Sequence, residues 1–587
     1  MEYLVLAGAG NIRLAGHNLL LNYQRVSMSS IDWIVLFGTL LAIVAYGAWK
    51  TRGSKTIEGY LKGDNRMKWW MIGISIMATQ ASAITFLSTP GQAIEDGMRF
   101  IQIYFGLPLA MVILSVTLVP IYYRLKVYTA YEYLEGRFDL KTRTLAAIYF
   151  LLLRGLSAGI TLYAPAIVLA TILNWSLYFT TVMIGMLVII YVTTGGTKAV
   201  SLTQRYQMAV IMTGMLTAGF IAYSLIPDHV SFGDSVALAG ELGKFNLVNL
   251  EFNLNDRYNI WSGLIGGTFL SLAYFGTDHS QVARYLGGVS LAESRMGLMF
   301  NGLLKIPMQF IILFIGVMVF VFFQFYKPPV YFNQNLIERA RDISPEAIAE
   351  LEASYDTLYD AKTTVVENLV RAIQRDDAEA VSAVKSGYFE IAEKERTIRD
   401  SVKAVISNVI PGAKVQDRDF IFLNFVIHNL PRGLVGLLIA VMFSAAMSSM
   451  ASELNALASA TTVDIYKRSF QKEASPGHYV LASRLFTVMW ALLAMLFAIL
   501  ASFEENLIQF VNIVGSLFYG TLLGIFVTAF YLKWVRGTAV FFAALIAEVL
   551  VFYCHYFTNI AFLWYIFVGC FAVIIGSILI QAFLRKD

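Results

Sequence analysis

About thirteen long apolar stretches, separated by polar connections, limit this fold more than any single motif does. About 20 apolar residues cross a bilayer core at 1.5 Å per residue. Inside lipid every backbone N–H and C=O must be paired within its own segment, so each stretch must be an α-helix. With 57% of its 587 residues hydrophobic and 14% charged, the chain has the make-up of an all-α polytopic membrane protein embedded in a lipid bilayer. Its net charge of +4 is small and dispersed, which leaves no footing for nucleic acid. The two cysteines, Cys554 and Cys570, lie in apolar stretches and read as packing residues.

The expected spans are 33–49, 69–91, 101–123, 145–173, 177–191, 206–226, 260–282, 296–325, 433–465, 480–503, 507–534, 539–555 and 560–584. Charge tests that count independently. Lys50, Arg52, Lys55, Lys62, Arg66 and Lys68 crowd the first connection, and Arg124/Arg137/Arg143, Lys198/Arg205, Arg284/Arg295, Lys467/Arg468, Lys533/Arg536 and Arg585/Lys586 continue at every second one. The intervening loops are poor in Lys and Arg or acidic, as at Glu504-Glu505. The positive-inside rule then puts the N-terminus outside and the C-terminus in the cytoplasm.

Residues 1–30 lack the basic start and cleavage site of a signal peptide, so translation is expected to begin at either Met1 or Met28. A soluble piece interrupts the apolar pattern at 328–420, on the external side. Ser344-Pro345 reads as an N-cap followed by Pro at the first helical position, and Val366, Leu369, Val370 and Ile373 recur at helical spacing. Two or three amphipathic helices are expected, serving either as a solvated lid or as a docking module for an external partner.

Two spans carry interruptions. One has Ala78-Thr79-Gln80-Ala81-Ser82 at mid-span and is expected to end at Ser88-Thr89-Pro90-Gly91. The other, five spans later, holds Gly263, Gly266, Gly267 and Gly276 before Thr277-Asp278-His279. Breaks in corresponding helices of two halves mark a transporter's midplane site. The offset implies a five-plus-five inverted repeat, with 67–226 and 258–534 as its halves and 227–257 as an external loop between them. Flanking these are an extension at 1–30, a peripheral helix at 31–50 and two peripheral helices within 537–587.

Three further features bear on chemistry. Ala445, Ser448, Ser449 and Ser452 fall on one face of the stretch 441–467, a small, hydroxyl-bearing face that offers oxygen ligands to a hard cation such as Na⁺. Such serines also bond simply to their own i−4 carbonyls, and that alternative stays open. Arg154 lies about ten residues into its span, where a charge needs a cavity or a partner. It is read either as a contact for a carboxylate substrate or as half of a structural ion pair. Lys305 is nearer the cytoplasmic end of its span and is expected to snorkel.

Taken together, these residues resemble the sodium:solute symporter family. The matching segments are Thr129–Phe138 (TAYEYLEGRF), Tyr163-Ala164-Pro165-Ala166, Thr194–Val200 (TGGTKAV) and the serine stretch through Asp464-Ile465-Tyr466-Lys467. The first two are most similar to the branch with iodide, multivitamin and monocarboxylate symporters. The resemblance implies a LeuT-like fold and a sodium site formed by the carbonyls of Ala78, Ala81 and Ala445 and the hydroxyls of Ser448 and Ser449. It places Gln80, Thr85, Tyr104, Ser157, Tyr274 and Lys305 toward substrate, with Tyr274 or Phe275 at the inner gate. Leu202-Thr203-Gln204 departs from the family's usual Trp-Thr-Asp, and Thr85 and Tyr104 replace the Gln and Glu of sugar-specific members.

The function expected is therefore Na⁺-coupled import of a small organic solute, a carboxylate or other anion, across the cell membrane. A Na⁺-coupled sugar or polyol symporter is the alternative on the same scaffold. A solute sensor using the insert to bind a partner is the alternative from another class. No enzyme motif emerges: the chain has six histidines and no nucleotide loop or metal-ligand spacing.

Overall fold

A computed structural model describes residues 28–51, 67–125, 129–501 and 505–584, with the side chains at 43–51, 125, 191 and 194–206 left out. Expectations about the start of translation, most of the first basic connection, Lys198, Gln204, Arg205 and the C-terminal Arg585/Lys586 fall outside these residues. Apart from one isolated bridge between Met67 and Gly288, the regular structure described is helical. Nine helical stretches among the described residues are long and apolar enough to cross a membrane.

The first part of the chain comprises α1 (Ser30–Thr51), α2 (Trp69–Gln80), α3 (Ala83–Asp96), α4 (Leu107–Val116), α5 (Leu118–Leu125), α6 (Leu140–Leu173), α7 (Leu177–Ser224) and α8 (Phe232–Glu241). The second comprises α9 (Gly267–Thr277), α10 (His279–Leu286), α11 (Leu291–Phe325), α12 (Gln334–Ile343), α13 (Pro345–Gln374), α14 (Ala378–Val409) and α15 (Arg418–Asn429). Last come α16 (Leu434–Ala460), α17 (Pro476–Leu500), α18 (Leu507–Tyr531), α19 (Gly537–Phe557) and α20 (Leu563–Leu584).

Lipid gives helices no hydrophobic reason to associate, so small residues that admit close backbone approach organise the bundle. Gly297 of α11 is one: a Cβ there would lie 2.6 Å from Ile72 of α2. Gly316 of α11 faces the Pro90 carbonyl of α3 in the same way. These two contacts fix α11 alongside both halves of the broken helix. At the opposite side, Asp32 accepts hydrogen bonds from Gly433 N (2.6 Å) and Gly436 N (3.1 Å), holding α1 to the start of α16. A carboxylate there meets the unpaired amides and positive dipole of a helix N-terminus.

Two expectations about helix ends are corrected. Pro90 does not terminate its helix but lies inside α3, which runs on to Asp96. A proline is tolerated within a membrane helix where neighbours take up the freed backbone groups. The spans expected at 177–191 and 206–226 are not separated by a break in the helix: both lie on the 48-residue α7, whose apolar segments stay distinct at Leu177–Ile190 and Gln207–Ser224. No proline interrupts that segment, and a glycine alone weakens a helix by only about 1 kcal/mol.

The insert folds as expected from its periodicity. Ser344 is the N-cap and Pro345 the first residue of α13, which pairs with α14 as a hairpin. Tyr331, Ile337, Ile348, Tyr355, Val402 and Ile406 form a small core of their own. Val366, Leu369 and Val370 instead face the main bundle. Tyr388 of α14 donates to Gln324 Oε1 of α11 at 2.9 Å, and Lys385 pairs with Glu241 of α8 at 3.0 Å.

Candidate functional site

The site begins where the first broken helix stops. α2 ends at Gln80, Ala81 and Ser82 are non-helical, and α3 restarts at Ala83. A helix leaves its last four carbonyls without intrahelical partners. Here Met77 O accepts Ala81 N–H at 2.8 Å, Gln80 O accepts the Thr85 hydroxyl at 3.2 Å, and Ser449 Oγ of α16 lies 3.5 Å from Thr79 O. The fourth of those carbonyls belongs to Ala78. Ala78, Ala81, Ala445, Ser448 and Ser449 are all buried. This donor set is hydroxyls and carbonyls, and among the described residues no cluster of His, Cys, Asp and Glu has the makings of a metal site. Neutral oxygen donors suit a monovalent hard cation and fit Na⁺.

The second break lies at Asp278, between α9 and α10, where the backbone turns extended. Asp278 caps α10 and accepts from Ser280 N (2.9 Å) and Ser280 Oγ (2.6 Å) through Oδ1. Its other oxygen, Oδ2, accepts from Arg154 Nε (2.6 Å) and from the Tyr519 hydroxyl (2.8 Å). Arg154 also donates to Tyr519 OH (2.9 Å) and pairs through Nη1 with Glu453 Oε1 at 3.1 Å. Its guanidinium sits over the Tyr274 ring, 5.0 Å from the centroid. Arg154 is 5% exposed, so this charge is balanced within the protein by two carboxylates.

A cavity of about 150 Å³ lies against this cluster. Every residue assigned to substrate from the sequence borders it: Gln80 and Thr85, Tyr104, Arg154 and Ser157, Tyr274 and Phe275, and Lys305. Ile84, Ile103, Leu107, Leu270, Ile508 and Val511 supply apolar wall. The snorkelling expected of Lys305 is corrected: it is 2% exposed and borders the cavity, with Nζ 5.6 Å from the centre of the Tyr104 ring. Among the described residues no carboxylate lies within ion-pair distance of it. Snorkelling fails because α11 turns this face toward the broken helix rather than toward lipid.

Glu453, Tyr519 and Asn512 were not singled out in the sequence, yet all three border the cavity, and Asp278, named only as part of the second break, holds Arg154. Glu453 and Asp278 carried a usable signal, since an ionisable side chain inside an apolar span is a functional candidate by default. Tyr519 and Asn512 carried none.

The model of the sodium:solute symporter family matches residues 60–327 and 400–547, passing over most of the insert. The sodium/sialic acid symporter SiaT of Proteus mirabilis is 25% identical over 557 residues, covering 93% of this chain and 94% of the relative. The sodium-coupled monocarboxylate transporter 1 of Mus musculus is 26% identical over 498 residues, 84% of this chain and 68% of the relative. Among solved structures, a Na⁺-coupled sialic acid symporter in a substrate-bound outward-open state superposes with a TM-score of 0.72. It is 22% identical and covers 94% of this chain and 98% of the other, a likeness of fold.

Proposed function

The chain belongs to the sodium:solute symporter family, a family of transporters, and we propose that this Na⁺-coupled symporter of a small organic solute in the cell membrane takes a small monocarboxylate. The observation that carries the proposal is Lys305. Of the two cations bordering the cavity, Arg154 is already engaged by Asp278 and Glu453, whereas Lys305 faces the cavity with no carboxylate beside it among the described residues. A carboxylate solute completes that pair in a low-dielectric site, where a charge-assisted bond is stronger than in water. Size narrows the class further. A 150 Å³ cavity is on the scale of those that hold one benzene ring, which points to a solute of roughly six to ten heavy atoms rather than a hexose acid. The apolar wall then receives a short alkyl or aromatic body.

In this reading Na⁺ is held by Ala78, Ala81, Ala445, Ser448 and Ser449, at the end of α2. Solute contacts come from Gln80, Thr85, Tyr104, Ser157 and Lys305, and Arg154 positions the Asp278 break and the Tyr274–Phe275 gate. Na⁺ shifts the carrier toward its outward-facing state only by its difference in affinity between states. Bound beside the solute pocket, each ligand strengthens the other by the same factor. The paired breaks at Ala81 and Asp278 support a LeuT-like five-plus-five repeat. With the charge pattern, they support thirteen spans, an external N-terminus and a cytoplasmic C-terminus.

The test is counterflow in proteoliposomes with a panel of short monocarboxylates, sialic acid, hexoses and amino acids, under Na⁺, Li⁺ or a proton gradient alone. The expected result is Na⁺-dependent uptake of a short acid that sialic acid does not inhibit. Na⁺-driven uptake of a neutral sugar would overturn the substrate class, and uptake indifferent to Na⁺ would overturn the coupling.

A further inference from the structure

The two carboxylates that flank Arg154 are not equivalent. Asp278 is fully coordinated: Oδ1 accepts from Ser280 N and Oγ, and Oδ2 from Arg154 Nε and Tyr519 OH. Glu453 is not. Its Oε1 has a 3.1 Å contact with Arg154 Nη1 and the Thr161 side chain lies against the carboxyl, while Oε2 is buried without a well-formed hydrogen bond among the described residues. The residue is 8% exposed and borders the solute cavity. It also lies four positions after Ser449 on α16, so about 6 Å along the same helix from the hydroxyls assigned to Na⁺.

When two carboxylates share a site and their environments differ this much, one is the fixed anion and the other the group that exchanges a proton. One oxygen of Glu453 answers Arg154, and the other has room for a hydrogen. We propose that Glu453 is the binding site for a second coupling cation, a proton, which it takes up when the solute binds and gives up on the cytoplasmic side. The inference rests on the carboxylate reading above. Without a proton, an incoming carboxylate meets a second anion across a small cavity, and like charges at close range disfavour each other's ionised forms. With Glu453 neutral, that repulsion is gone. Arg154 keeps its charge balanced by Asp278, and the carboxylic acid can donate a hydrogen bond toward the cavity.

Charged and titratable groups face Glu453 from several of the helices around it. They are Arg154 on α6, Asp278 at the α9–α10 break, Tyr274 on α9, Tyr519 on α18, Tyr104 between α3 and α4, and Lys305 on α11. Arg284 of α10 bonds the neighbouring Ser452. Among the acids of the described residues, only Glu453 combines an unpartnered oxygen with a place on the cavity wall.

Two measurements on the purified full-length protein test this. In the first, lactate is titrated calorimetrically in saturating Na⁺, in two buffers of different protonation enthalpy, and lactate KM is followed from pH 6 to 8 in proteoliposomes. About one proton should be taken up per lactate, with KM rising by up to about tenfold per pH unit above the titration point. Glu453→Gln should take up none, and the lactate affinity that remains should be flat with pH. In the second, independent of any solute, infrared difference spectra between acid and neutral pH should show the C=O band of a protonated carboxyl, lost in Glu453→Gln and displaced in Glu453→Asp. Na⁺-dependent lactate binding with no proton uptake, or pH dependence retained in Glu453→Gln, overturns the proton site alone. If lactate does not bind at all, the carboxylate reading fails, and the infrared band still decides whether Glu453 holds a proton.

Discussion

The protein buries charge in two places, and the two are near mirror images. In the membrane bundle one arginine, Arg154, lies between two carboxylates, Asp278 and Glu453. In the insert one carboxylate, Glu395, lies between two cations: Lys362 at 2.7 Å and Arg399 at 3.1 Å. The insert cluster is saturated. Arg399 further donates to Val330 O and to the Tyr355 hydroxyl, each at 2.9 Å, and packs over the rings of Phe332 and Tyr355. The bundle cluster leaves one carboxylate oxygen open and borders a cavity. A buried ion pair contributes little net stability against an apolar replacement, but losing one partner costs about 3–5 kcal/mol. Completeness separates the two: the closed cluster holds a hairpin together, and the open one has the free oxygen on which the proton proposal rests.

The comparison predicts unequal responses to equivalent changes. Arg154→Gln should have the largest effect. It strands Asp278 and Glu453 beside each other at mid-membrane, so uptake should fall by about a hundredfold or more even where the protein reaches the membrane, as measured by uptake normalised to surface protein. Near-normal uptake would mean that the bundle cluster is as purely structural as the insert's. Lys305→Met should come next. The KM for a monocarboxylate should rise by about ten- to a hundredfold with the Na⁺ dependence kept, because this change removes only the solute's partner. An unchanged KM would return the anion-binding role to Arg154. Ser449→Ala should raise the half-saturating Na⁺ concentration by about tenfold while leaving maximal uptake at high Na⁺ largely intact, since two carbonyl donors from the break remain. Saturation by Na⁺ that does not move would displace the cation from α16.

How much of this could be read from the sequence follows the same division between local and tertiary causes. The break at Ala81, the hydroxyl face of α16 and the amphipathic hairpin of the insert were legible, because each is written in consecutive residues or at helical spacing. Arg154 was legible as a charge in an apolar run, and its structural-pair alternative is the part the fold makes visible. Its partners were not legible, since Asp278 and Glu453 lie 124 and 299 residues away and meet it only in the assembled bundle. Lys305 was misread because its distance from the membrane edge was legible and its facing was not. Glycines at 297 and 316 draw α11 against the broken helix and turn that lysine inward. Pro90 was misread for a related reason: whether a proline ends a helix depends on the neighbours that take up its freed carbonyl.

The smallest expected effect on transport is also the sharpest test of the contrast. Burial alone would raise the Glu395 carboxyl, but Lys362 and Arg399 override it and hold it at about 2, below its ordinary 4.5. A carboxyl depressed by folding contributes stability that is fully present above its ordinary value and is lost as pH falls toward the folded one. The α13–α14 hairpin should thus be firm at pH 6 and loosen between about pH 4.5 and 2, read as faster hydrogen exchange in 345–409. Glu395→Gln removes the central anion and leaves two buried cations facing each other. The hairpin should exchange faster already at neutral pH, with no further acid step from this group. Uptake by the same variant should stay within about twofold of wild type, because this cluster borders neither the cavity beside Arg154 nor the serine face. A loss of uptake in proportion to hairpin loosening would break the comparison. It would make the insert part of the transport cycle, coupled through the Tyr388–Gln324 bond to α11, the helix that carries Lys305.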